Sequence, residues 1–337
     1  MYNIYMDSGT SNTRAYLIKG FKLMDTETIN VGTKDSAIVG SNHVLLSSMK
    51  ECYDRLLVKN GLQDCDIKGL WSSGMVTNTF GIIEVEHISV PVDAQKLLDR
   101  IYIHYEDLFF KKEMILICGA KTGQPDTVVT IDNIDRMNNV RGEEIEVIGM
   151  VATGVLAKDK DCVMISPGSH THFCYVANGA IVDIVSNFTG ELNYAIKKDT
   201  ILGGELSDKD VDMEPEYVNT GYKYLKQYGF CRALYITHAT RVFNVCSDEV
   251  RSQILAGIIS GSVIDLLAIK ISEAWKDIEK IIIVGGKSYV ESYRILCETI
   301  IPHIPVQIVH ANEGKSFALC GFLELLRLTK ENDFKEL

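Results

Sequence analysis

Several common signatures are missing from this sequence. Its nine cysteines, scattered from Cys52 to Cys320, contain no Cys-x-x-Cys pair. An odd count without metal-ligand spacing argues against a disulfide framework or a zinc site and reads as reduced thiols in a cytoplasmic protein. Positive charge is in deficit: 34 Lys and Arg stand against 45 Asp and Glu, a net charge of −11. That balance argues against non-specific nucleic-acid binding and against docking on an anionic membrane, while leaving room for a local basic pocket around a small anion. No uninterrupted apolar run is expected to reach the roughly 20 residues of a membrane span. The first residues lead directly into a strand pattern, without the basic and apolar segments of a secretion signal.

Two nucleotide-binding motifs are missing as well. Gly285-Gly286-Lys287-Ser288 contains a G-K-S tripeptide, but the glycine that opens a G-x-x-x-x-G-K-[ST] loop would stand where Ile281 is. No G-x-G-x-x-G follows a strand, so a dinucleotide fold has no support.

At 337 residues the chain exceeds the usual limit of one hydrophobic core, and two domains are expected, 1–140 and 141–337. An apolar fraction of 46% with 23% charged residues fits a soluble globular protein. The most informative stretch is the first. A short apolar run reaches Asp7, the small or polar residues Ser8-Gly9-Thr10-Ser11-Asn12 follow, and strand formers resume at Thr13. This predicts a β-hairpin whose tip offers N–H groups, hydroxyls and a glycine to phosphoryl oxygens. Asp7, at the strand end, is placed to hold magnesium directly or through water. An ordinary polar turn is the alternative.

The spacing then predicts a third strand at 22–31, a helix at 44–58, and a strand at 69–73 ending in Ser73-Gly74-Met75. A long connector follows over 75–92. A helix is expected at 94–108, a strand at 113–118, a polar loop at 121–139 and a helix at 142–157. From residue 161 the opening pattern recurs: a strand, the turn Pro167-Gly168-Ser169-His170-Thr171, a strand at 172–177, a turn and a strand at 180–186. This is an internal repeat in pattern, though not in letters. A helix opens at Thr189-Gly190-Glu191, and 198–215 reads as a charged lid or surface excursion. Helices are expected at 216–228 and 250–275. The nearly all-isoleucine strand Lys280–Val284 suits burial on both faces and ends in Gly285-Gly286. A helix to about 301, a strand at 306–309, a helix at 314–328 and a loose tail at 330–337 complete the reading.

Three motifs carry chemistry. Gly285-Gly286 lets a flat ring lie against backbone, or is simply a tight turn. Arg141-Gly142-Glu143-Glu144 puts two acids at a helix start, which the helix dipole alone would explain. Its functional reading makes one acid a general base, with the Arg141 fork steadying a carboxylate or phosphate. His170 and His172 lack the companions of a metal set and read as hydrogen-bonding or core residues.

Together these features resemble the fold of actin, hexokinases and chaperone ATPases: α/β, two related actin-like (ribonuclease H-like) domains with an ATP cleft between them. Within it the chain resembles the 2-dehydro-3-deoxygalactonokinase family over nearly its whole length. The resemblance rests on Asp7 to Ala15, Ser73-Gly74-Met75, Ser89-Val90-Pro91, Val140-Arg141-Gly142-Glu143-Glu144, Pro167-Gly168-Ser169-His170 and Thr189-Gly190-Glu191-Leu192. It departs from the family at Asp7-Ser8-Gly9, where members often carry Asp-Trp-Gly.

The resemblance implies ATP-dependent phosphorylation of the 6-hydroxyl of 2-dehydro-3-deoxy-D-galactonate, or of a related 2-keto-3-deoxy sugar acid. ATP would be held by Ser8, Gly9, Thr10, Ser11, Asn12, Gly168, Ser169, Thr171, Gly285 and Gly286, and magnesium by Asp7. Arg14, Ser73, Met75, Asn78, Arg141, His170 and Glu191 would face the sugar acid. Glu143 or Glu144 would be the base, with Asp183 a third candidate. The alternative is a phosphatase or ATPase of the same fold. No nucleic-acid or membrane partner is expected, and a homodimer is compatible with the sequence.

Overall fold

Ile4, Tyr5 and Met6 are fully buried, as are Leu17 and Ile18, so the two apolar runs at the N-terminus pair as core strands. In the computed structural model, which describes residues 1–207, 211–310 and 316–333, β1 (Tyr2–Ser8), β2 (Thr13–Lys19) and β3 (Lys22–Ile29) form the expected meander. The β1–β2 register sets Asp7 opposite Arg14 and Ser8 opposite Thr13. Helices α1 (Thr33–Val39) and α2 (His43–Asn60) follow; α1 was not foreseen. The strand β4 (Ile67–Gly74) then runs parallel to β1, with Asp7 beside Ser73 and Ser8 beside Gly74.

The long connector holds a 3-10 turn, Met75–Thr77, and the short strand β5 (Ile88–Ser89). The expected helix at 94–108 is mostly absent. Only α3 (Ala94–Leu98) is helical, and Tyr102–Glu106 is instead the strand β6, paired antiparallel with β7 (Lys112–Leu116). Tyr102, Ile103 and Tyr105 are exposed; aromatic and β-branched residues suit a pleated edge, and their spacing alone had suggested a helix. The six-stranded sheet has the order β3-β2-β1-β4-β7-β6. The strands β8 (Ala120–Lys121) and β9 (Asn139–Val140) join β5 in a small three-stranded sheet.

Helix α4 (Glu143–Ala152) is shorter than the expected 142–157 and gives way to Gly154, at φ +77°. The second meander is β10 (Cys162–Pro167), β11 (His170–Ala177) and β12 (Ala180–Phe188), followed by α5 (Gly190–Asp199), α6 (Pro215–Tyr228), an unforeseen α7 (Phe230–Val242) and α8 (Asp248–Glu273). Then come β13 (Lys280–Val284), α9 (Lys287–Ile300), β14 (Val306–Val309) and α10 (Phe317–Asp333). The second large sheet has the order β12-β11-β10-β13-β14, with Ile281, Ile282 and Ile283 fully buried. Residues 314 and 315 of the expected last helix and 334–337 of the expected tail lie outside the described residues.

Helix α8 has no uninterrupted apolar run of that length, with Asp265 inside it, yet it is apolar on average. Among the described residues it is the one helix long and apolar enough to cross a membrane, and 61% of its apolar window is buried inside the protein. It is a core helix: a Cβ on Gly257 would collide with the Val218 carbonyl oxygen, and one on Gly221 of α6 with that of Ile254. Small residues thus bring the α6 and α8 backbones together. The charged segment 198–215, of which 208–210 lie outside the described residues, is tied down at Glu205. Its buried carboxylate accepts from Arg241 at 2.8 Å and faces His238 Nδ1 at 3.1 Å, while Arg251 Nε donates to the Glu205 carbonyl at 2.6 Å.

By contacts the chain divides into two compact units: Met1–Asp159 with Val176–Ile184 and Asn312–Leu337, and Lys160–Tyr175 with Val185–Ala311. These bounds differ from a cut at 140/141 because α4 packs on α10 within the first unit. A Cβ on Gly149 would strike the Phe317 carbonyl oxygen, and one on Gly321 that of Ile145. Phe322 of α10 stacks on Tyr5 of β1 at 4.6 Å between ring centroids.

Candidate active site

In the first unit the site is built around Asp7. Its carboxyl is half-buried, and desolvation, opposed by Arg14 and reinforced by Glu143, pushes it up to about 6. It is therefore mostly ionised at neutral pH. The tip that follows is closed by Gly9 N–H donating to the Asn12 carbonyl at 2.9 Å. Helix α1 anchors the tip from behind, its Lys34 N–H donating to the Thr10 carbonyl at 2.9 Å. Ser11 and Asn12 are exposed and Thr10 is half-buried. Ser8, expected to offer its hydroxyl to phosphate, is fully buried and bonded to Thr13 Oγ1 at 2.9 Å.

The start of α4 reaches Asp7 through two glycines. Gly74 has φ +84°, and a Cβ there would lie 2.5 Å from the Ser8 carbonyl oxygen and 3.7 Å from Asp7 Oδ1. Gly142, at φ +122°, caps α4. The two expected acids are not equivalent. Glu144 is fully buried, and both its oxygens accept from Gly142 N–H, at 3.0 and 2.8 Å. Burial above all, with Glu143 nearby, pushes its carboxyl up to about 8. Glu143 is half-buried and acts electrostatically on Asp7, Glu144 and Glu146.

Glu146 was missed by sequence reasoning, although it stands three residues beyond Glu143 on the same helix face. Its side chain is half-buried, and its carboxylate makes no hydrogen bond or ion pair with another described residue. Desolvation first, then Glu143 and Asp7, raise its carboxyl well above the ordinary carboxylate range.

The connector 75–92 is held by Arg141. Its Nη1 donates to Thr77 Oγ1 at 2.7 Å, and its Nη2 donates to the Val85 carbonyl at 2.9 Å and faces His87 Nδ1 at 3.4 Å. The guanidinium thus serves the loop, where an anion-binding role was expected. Burial, with Arg141 next, lowers His87 to about 4, so its ring is neutral. Ser73 is also turned inward: it is fully buried and bonded to Tyr5 Oη at 2.6 Å. Met75 and Asn78 are half-exposed, and Arg14 is exposed opposite Asp7.

In the second unit Gly168 is exposed at the hairpin tip, and its N–H donates to the His170 carbonyl at 3.0 Å. The start of α5 locks onto this tip: Glu191 N–H donates to the Ser169 carbonyl at 2.9 Å, and a Cβ on Gly190 would collide with the Gly168 carbonyl oxygen. The Glu191 side chain is exposed. Thr171 is fully buried, bonded to Thr189 at 2.8 Å and to Tyr293 at 2.6 Å, so its hydroxyl, like that of Ser8, braces the hairpin from within. His170 packs against Phe188, with ring centroids 5.1 Å apart. Gly285 ends β13 beside the end of β10, 3.9 Å from Pro167 by its Cβ position, and Gly286 is exposed with open space around it. Asp183, on the part of β12 that belongs to the first unit, is half-buried and accepts from Ile184 N–H at 2.9 Å.

Among the described residues no group of three or more His, Cys, Asp or Glu is arranged to hold a metal ion. Magnesium needs few protein ligands where phosphates and water complete its shell, so Asp7, whose mostly ionised carboxylate has no hydrogen-bond or ion-pair partner among the described residues, fits that role.

Two sheets that each open with a strand–turn–strand meander and continue in parallel strands, with β6 added antiparallel at one edge, define an actin-like α/β architecture. The chain belongs to the 2-keto-3-deoxy-galactonokinase family, whose model matches residues 7–313. It is thus an ATP-dependent sugar-acid kinase. Among solved structures, a candidate 2-dehydro-3-deoxygalactonokinase from Sinorhizobium meliloti aligns with a TM-score of 0.74 at 18% identity, covering 97% of this chain and 99% of that one. The activator of 2-hydroxyisocaproyl-CoA dehydratase from Clostridium difficile, with bound ADPNP, aligns with a TM-score of 0.50 at 15% identity, covering 100% and 98%. At these identities the likenesses speak for the fold alone. No curated protein matches the chain at a significant level.

Proposed function

We propose that the enzyme transfers the γ-phosphoryl group of ATP to the 6-hydroxyl of 2-dehydro-3-deoxy-D-galactonate, or of a closely related 2-keto-3-deoxy sugar acid, in the cytoplasm. The observation that carries the site assignment is the division of labour at α4. Glu144 closes the helix start on Gly142 N–H, which leaves Glu143 beside Asp7 as the base. Glu143 takes the proton of the acceptor hydroxyl as its oxygen bonds to the γ-phosphorus and ADP leaves, a contribution of about 10²–10⁴-fold.

Asp7 holds magnesium, which when bound screens the phosphate charge. The tip from Gly9 to Asn12 and the tip at Gly168-Ser169 bind phosphoryl oxygens through backbone N–H groups and the exposed side chains of Ser11 and Asn12. Gly285 and Gly286 leave room for adenine. Met75, Asn78, Arg14, His170 and Glu191 bind the sugar acid, and its carboxylate pairs with Arg14.

The test is ADP release from Mg-ATP against a panel of 2-keto-3-deoxy sugar acids and common hexoses, with a blank lacking acceptor. Turnover that depends on 2-dehydro-3-deoxygalactonate is expected. Equal turnover in the blank would sink the reading in favour of an ATPase or phosphatase on the same fold.

A further inference from the structure

Thr77 is fully buried, in the 3-10 turn that follows Gly74. Its hydroxyl donates to the Gly74 carbonyl at 3.0 Å and accepts from Arg141 Nη1 at 2.7 Å. A hydroxyl has one proton to give, so these two bonds fix its orientation. Each partner leads to a different part of the site. Gly74 ends β4 and lies against the Ser8 carbonyl and the Asp7 carboxylate. Arg141 directly precedes Gly142 and the acids of α4. Its second amino group reaches the far end of the same connector, at Val85 and His87. Gly119 packs closely on the Arg141 stem and on the His87 ring: a Cβ there would lie 2.8 Å from both Arg141 Cγ and His87 Cδ2.

We propose that Thr77 is a positioning residue for the acceptor. Its hydroxyl joins Arg141 to Gly74 and so holds the turn bearing Met75 and Asn78, and the first turn of α4, in register with Asp7. The proposal rests on the sugar-acid kinase reading and adds what fixes the acceptor's geometry. Misplacing a substrate-positioning group by about 1 Å costs on the order of 10²-fold in rate. Losing the hydroxyl would leave Arg141 Nη1 and the Gly74 carbonyl facing a methyl group.

The experiment compares Thr77→Val, which keeps the volume and removes the hydroxyl, with Thr77→Ser, which keeps the hydroxyl. In Thr77→Val, kcat/KM for the sugar acid is expected to fall by about tenfold or more, the loss of one charge-assisted bond, with KM for ATP within about twofold of wild type. Thr77→Ser is expected to recover most of it. Amide exchange should quicken at 74–78 and 142–146 in Thr77→Val alone. Kinetics within twofold of wild type in Thr77→Val, or equal damage from both variants, overturns the proposal. If wild type phosphorylates no sugar acid, the function reading fails, and the exchange data alone decide: faster exchange only in Thr77→Val supports the tie, and unchanged exchange removes it.

Discussion

Gly74 and Gly142 meet backbone to backbone: the atom nearest to a Cβ placed on Gly142 is Gly74 Cα, at 3.9 Å. Both lie at positive φ, +84° and +122°, where a side chain is strained. At Gly74 a side chain would also press on the Ser8 carbonyl. Gly74→Ala is expected to cost on the order of 2 kcal/mol in urea unfolding and most of the ADP-release activity, because Asp7 shifts with its neighbour.

The two acids of α4 should separate in kinetics. Glu143→Gln is expected to lower kcat by about 10²–10⁴-fold with little change in thermal midpoint. Glu144→Gln keeps an acceptor for Gly142 N–H and should retain most of kcat. The reverse pattern would transfer the base to Glu144.

Two pH effects follow from the buried carboxyls. Asp7 must be ionised to hold magnesium, so kcat/KM for Mg-ATP should fall as pH drops through about 6. Glu144 has its pKa raised from 4.5 to about 8. Between those values the folded protein keeps a proton that the unfolded chain releases, so stability falls as pH rises through that window and levels off above it. Thermal midpoints of the free protein from pH 5 to 9 should show this decline, and Glu144→Gln should make it shallower while leaving the part that Glu146 and, near pH 6, Asp7 contribute.

The ion cluster at Glu205 should be asymmetric. Glu205→Ala leaves His238 and Arg241, whose side chains are 21% and 58% exposed and can turn to water, so about 1–3 kcal/mol is lost. Replacing both His238 and Arg241 by alanine strands a buried carboxylate and should cost more, about 3–5 kcal/mol. Urea midpoints of the two variants would rank them.

Much of the fold could be read in advance, because Ile4–Met6, Leu17–Ile18 and Ile281–Ile283 are uninterrupted apolar runs bounded by glycine and hydroxyl turns. What escaped had weaker local signals. Helix α1 is only seven residues long, and the buried residues of α7 are Ala233, Thr237 and Thr240, two of them polar. Strand β6 imitated helical spacing. In the site, the sequence placed Asp7 and the α4 acids correctly on their elements. It did not show which way a side chain turns. Ser8, Ser73 and Thr171 face inward because their hydroxyls have buried partners, Thr13 across the same hairpin for Ser8 and residues far along the chain for Ser73 and Thr171. Glu146 was within reach of helical periodicity, had that been applied to Glu143.

The packing of α10 on α4 and of Phe322 on Tyr5 bears on how the protein is made. A ribosome that has released residues 1–159 has delivered the catalytic hairpin but not the helix that closes its core. The first unit's core is complete only once α10 has joined it. Until then Tyr5 and Trp71 lack the Phe322 ring they pack against.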